Sequence, residues 1–128
     1  MRPASCVMLG ALLVRAVTST ADSFESALEK ARANEASPVW HAYAGSFFEQ
    51  LGPALQRGMQ RCFPASVNAA GTTFTIVFSV RADGTLTRMM VRPESPGATC
   101  VVKEIRAARV PAPPRPDWWA FIDMRVTP

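Results

Sequence analysis

Histidine is almost missing from this 128-residue chain, and so are the side-chain groupings that most enzymes work with. His41 stands alone in a stretch of helical character, with no free cysteine to pair with it as a nucleophile. A zinc-type centre needs three or four ligands at suitable spacing, and three cysteines and one histidine scattered along the chain do not supply them. A glycine-rich phosphate loop, a G-x-S-x-G nucleophile turn and a paired-carboxylate motif are also lacking. These absences read against catalysis, a metal and a bound cofactor, and they make His41 an ordinary helix residue.

Long apolar runs are lacking too. Residues 6–14 are apolar, but Arg15 ends the run short of the roughly 20 residues that a membrane helix needs. The stretch has the layout of a signal peptide instead: Arg2 as its basic start, residues 6–14 as its apolar centre, and small residues Ser19, Thr20 and Ala21 at the cleavage site. Residues 1–21 are therefore expected to be removed, leaving a secreted chain, the alternative being an uncleaved amphipathic N-terminal helix. Cys6 lies near the chain start, at the head of the apolar centre rather than after it as a lipoprotein cysteine would be, and is expected to leave with the leader. What remains is an even pair, Cys62 and Cys100, expected to form a disulfide in an oxidising compartment.

The net charge of +4 also weakens on inspection, because two of its cations, Arg2 and Arg15, lie in the leader. Acids outnumber bases in residues 22–49 (Asp22, Glu25, Glu29, Glu35 and Glu49 against Lys30 and Arg32), whereas residues 50–128 are basic. So uneven a charge suits an anionic partner or a solvated surface equally, and it does not specify nucleic acid.

Periodicity supplies the positive content. Asp22 and Glu25 have capping-box spacing ahead of Phe24, Ala27, Leu28 and Ala31, which predicts a helix over 22–35. Ser37-Pro38 is a second start signal, followed by Trp40, Tyr43, Ala44, Phe47, Phe48 and Leu51 at helical steps. Gly52-Pro53 is expected to break that helix, with Leu55, Met59 and Cys62 on a short third one and residues 65–72 as a loop. Residues 74–80 and 85–91 alternate around Ala82-Asp83-Gly84, the signal of a β-hairpin whose glycine takes positive φ. Phe74, Ile76, Phe78 and Val80 would share a buried face, and Thr73, Thr75, Val77 and Ser79 a mostly wet one. A helix over 98–108 buries Ala98, Val101, Val102, Ile105 and Ala108, with Cys100 at the flank of the stripe. Residues 110–116, with four prolines, are extended, and a last strand runs over 118–126.

The sum is an α+β fold: a three-stranded antiparallel sheet of hairpin, helix and strand, with helices on one face, preceded by N-terminal helices. Residues 22–51 form the helical segment and 52–128 the α+β domain. Alternation sends Trp118 and Trp119 to opposite faces. If Trp118 is core, Trp119 and Phe121 either form an exposed aromatic face or lie under the N-terminal helices. Arg88 and Arg92, alternating with Leu86 and Met90 in the second strand, give that strand a solvated edge or face and are further candidate contacts.

Residues 52–126 resemble the C-terminal domain of TonB-type energy transducers. The likeness rests on a helix ending near Pro64, residues 74–80 as a strand of F-x-V-x-x-D-G type, and Arg81-Ala-Asp-Gly84 as the hairpin turn. It continues through the following strand and helix to Val110-Pro-Ala-Pro113 leading into the last strand. The long proline-rich spacer of the transducers has no counterpart here, and the cysteine pair marks a disulfide-bearing, stand-alone variant. The resemblance implies a periplasmic, non-catalytic module that binds a protein or peptide partner of the cell envelope at a sheet edge. Arg88, Arg92, Trp119 and Phe121 are the contact residues to test. The competing expectation is a small disulfide-bonded inhibitor, immunity or scaffold protein.

Overall fold

The computed structural model describes residues 23–64 and 71–127. The expected leader, Asp22 and most of the expected loop, residues 65–70, lie outside them. The element order is α1 (Phe24–Glu35), α2 (Pro38–Cys62), β1 (Thr73–Val80), β2 (Leu86–Arg92), α3 (Pro96–Ile105) and β3 (Trp118–Arg125). Both pairings are antiparallel and β1 lies in the middle, in the order β2-β1-β3. The α+β class, the hairpin and the helices ahead of the sheet are as the sequence predicts.

Local chemistry sets the boundaries. Ser23, not Asp22, occupies the N-cap of α1, its Oγ accepting from the Ser26 N–H at 3.1 Å. Ser37 precedes Pro38 at the start of α2, but its hydroxyl donates back to the Asn34 carbonyl and the proline alone marks the start. Ser95 caps α3, two residues earlier than the apolar pattern indicates. The hairpin turn is held by Arg81 and Thr85, with Gly84 at φ 85°. A Cβ on Gly84 would run into the Val110 carbonyl oxygen, so this position needs glycine for both its conformation and its space. Asp83 accepts from the Thr85 hydroxyl and N–H, which lowers its pKa.

The expected break at Gly52-Pro53 does not occur, and α2 runs unbroken for 25 residues. Leu51, Ala54, Leu55 and Gly58 keep the buried stripe in phase across the proline. Gly52 has no Cβ to meet the proline ring, and Pro53 is solvent-exposed. Packing of the stripe outweighs one missing hydrogen bond.

The main core fills the space between α2, α3 and one face of the sheet. Trp40, Tyr43, Phe47 and Leu51 meet Phe74, Ile76, Phe78 and Val80, with Trp118, Ala120, Ile122 and the α3 stripe closing the layer. Phe47 stacks on Phe78 at 6.1 Å. The Tyr43 hydroxyl donates to the Pro111 carbonyl at 2.7 Å, and burial pushes its pKa up to about 12. Cys62 and Cys100 are bridged, tying the end of α2 to α3 with Cα atoms 5.6 Å apart.

The second face differs from the expectation of a wet surface and of helices on one side only. α1 lies across it, and Phe24, Ala27 and Ala31 form a separate buried cluster with Val77 and Trp119. Val77 and Ser79, expected in water, are fully buried. The sheet is thus the middle layer of three.

Candidate functional site

The four candidate contact residues all belong to the face beneath α1, and a bulge puts two of them there. In a regular strand Leu86, Arg88, Met90 and Arg92 would share one side. Val77 pairs with Met90 and Ser79 with Thr87, so β2 carries an extra residue between these pairs. Arg88 absorbs it with φ 52°, a left-handed conformation uncommon for arginine. Leu86 then stays in the main core, while Arg88, Met90 and Arg92 turn to the α1 side. The bulge cannot be read from the alternation, since only the register reveals it.

There the arginines lie over aromatic rings. The Arg88 guanidinium sits 4.7 Å from the Trp119 ring centroid, donates to the buried Ser79 hydroxyl at 2.8 Å, and approaches Asp117 at 3.4 Å. Arg92 lies 5.8 Å over Phe24, and Arg32 of α1 lies 5.9 Å over Phe121. Of the two placements open for Trp119, the covered one holds: it is 5% exposed, and Phe121 is half-buried against α1. No open aromatic platform exists at these residues.

The outer edge of β3, one of the two edge strands of the sheet, faces outward. The Val126 N–H donates to the Thr72 carbonyl at 2.8 Å, and the Gly71 N–H donates to the Val126 carbonyl at 2.9 Å. Even-numbered β3 residues therefore face β1, and the backbone groups of Phe121, Asp123 and Arg125 point away from it. Among the described residues no strand pairs with this edge. Asn34 occupies its first position, donating from Nδ2 to the Trp119 carbonyl at 3.0 Å, and Arg115 Nη2 in turn donates to Asn34 Oδ1 at 2.9 Å. Sequence reading missed Asn34 because its role depends on a residue 85 positions away. Beside the edge, on the α2 side, a groove of about 390 Å³ is lined by Leu55, Met59, Phe63, Met124 and Val126, among others.

No group of three or more His, Cys, Asp and Glu is placed to hold a metal among the described residues, where His41 is exposed on α2. None of the described helices is long and apolar enough to cross a membrane. The disulfide is of a kind found in periplasmic and extracellular proteins. Compared with family models, with curated proteins and with solved structures, the chain matches none.

Proposed function

We propose that this chain is a non-catalytic binding module of the bacterial periplasm that takes up a protein or peptide partner as an added strand on the outer edge of β3. The observation that carries this reading is the outward-turned backbone of Phe121, Asp123 and Arg125, a row of donors and acceptors that an extended segment can satisfy. The groove beside it supports the same reading, because every second side chain of an added strand would point toward Leu55, Met59 and Met124. The disulfide and the leader-like N-terminus favour an exported location, and the resemblance of residues 52–126 to the TonB C-terminal domain favours this mode of docking. With Trp119 covered, the edge is the better surface than the aromatic face.

Arg125→Pro tests the edge. It deletes one outward N–H while leaving the ladder to β1 intact. Peptides selected from a random displayed library on the full chain should bind the wild type and slow amide exchange at Phe121, Asp123 and Arg125. They should bind Arg125→Pro at least tenfold more weakly. Selected peptides that bind both proteins equally and leave those amides unprotected would refute the edge as the docking site.

A further inference from the structure

We infer that α1 is a displaceable cover, and that the sheet face beneath it takes an amphipathic helix from a partner, built on the same stripe as α1 and acidic on its flanks. Three observations converge on this. The first is that the two hydrophobic clusters are separate: none of the buried residues in the α1 layer belongs to the main core. The three-stranded ladder, the packing of α2 and α3, and the Cys62–Cys100 bridge all lie outside that layer. Lifting α1 away takes none of them apart.

The second observation is how little α1 brings to its seat. Its buried residues are Phe24, Ala27 and Ala31, against seven on α2 that include Trp40, Tyr43, Phe47 and Leu51. Beyond these it adds a half-buried Leu28, one hydrogen bond from Asn34 to the Trp119 carbonyl and two cation–ring contacts at the rim. Two alanines bury little area, and elements with few buried apolar contacts are the first to open locally. Only Ala36 and Ser37 separate α1 from α2, and Pro38 at the first position of α2 makes that helix start without help from α1.

The third is the character of the floor. Val77 and Trp119 are deeply buried, Met90 and Phe121 lie beside them, and Arg88 and Arg92 stand among the rings with Arg115 at the Asn34 end. An apolar strip beside three guanidinium groups fits a helix with small residues in its stripe, an aromatic at one end and carboxylates on its flanks. α1 is itself such a helix, with exposed Glu25, Glu29 and Glu35. Small residues are required where Ala27 and Ala31 sit, at 0% and 1% exposure, because the helix lies close to the sheet there. This surface adjoins the β3 edge, which shares Phe121 with it and whose first carbonyl is held by Asn34 of α1, but the two are tested separately.

The test uses the full chain and a labelled synthetic peptide of residues 23–37. Hydrogen exchange on the wild type should show the amides of α1 exchanging at least tenfold faster than those of β1 and of residues 47–58 in α2. In Ala31→Glu the buried carboxylate should drive α1 off its seat while the rest of the chain stays folded. The peptide should then bind Ala31→Glu at least tenfold more tightly than the wild type, whose own α1 competes at high effective concentration. Adding Trp119→Ala to that variant should abolish the binding. Exchange of α1 in step with β1, global unfolding of Ala31→Glu, or equal peptide binding to wild type and variant would each overturn the inference.

Discussion

Replacing Cys62 and Cys100 together by alanine should cost about 4 kcal/mol of folding stability, almost all of it through the unfolded chain. The bridge spans a sequence separation of 38 residues, and that loop contains the whole β1–β2 hairpin. Opening a loop of this length returns about 13 cal/mol/K to the unfolded ensemble, which is about 4 kcal/mol at 25 °C. The native side contributes little, since both cysteines are half-buried at the margin of the core and alanine leaves no deep cavity. In urea denaturation followed by circular dichroism, with a slope of about 1.5 kcal/mol/M, the midpoint should fall by about 2–3 M. The slope itself should rise, because the unlocked chain exposes more surface. Thermal melting should drop by more than about 10 °C. Wild-type protein reduced with a thiol should behave like the double variant. A loss below about 1 kcal/mol with an unchanged slope would refute the loop-closure argument.

Two further variants probe single positions. Arg88→Ala strands the buried Ser79 hydroxyl and removes the cation over Trp119, a loss of about 2–3 kcal/mol, whereas Arg88→Gly should recover about 1 kcal/mol of it by adopting φ 52° freely. Urea midpoints with alanine above glycine would contradict the bulge geometry. Tyr43, the sole tyrosine, has its pKa raised by burial, so its contribution to stability is whole below about pH 10 and is lost as pH rises toward about 12. Tyrosinate absorbance should titrate near that value in the folded protein. Tyr43→Phe should be about 1 kcal/mol less stable at neutral pH, through the lost bond to Pro111, but flatter at alkaline pH. Parallel stability curves for the two proteins would contradict the assignment.

Legibility followed the range of the interactions. The hairpin was readable because alternation and Asp83-Gly84 act within a few residues, and the start at Pro38 because a proline at the first helical position is a local signal. The disulfide was readable through parity, since with Cys6 set aside in the expected leader the two remaining cysteines have one way to pair. The opposite facing of Trp118 and Trp119 followed from strand geometry alone. The same pattern could not show that Val77 and Ser79 would be dry, because nothing in β1 announces that α1, which ends at Glu35, lies across it. Nor could it show that α2 would continue through Pro53, where the stripe flanking Gly52 outweighs a local breaker.

The candidate site divides along the same line. Sequence alone determined the strand that carries Phe121, Asp123 and Arg125, and the presence of arginines and aromatics to either side of it. Tertiary structure decided which backbone groups face outward, which residue caps the first of them, and which face the arginines occupy. A one-residue bulge reverses every side chain beyond it, and a pairing register is settled by the neighbouring strand rather than by the residues in it.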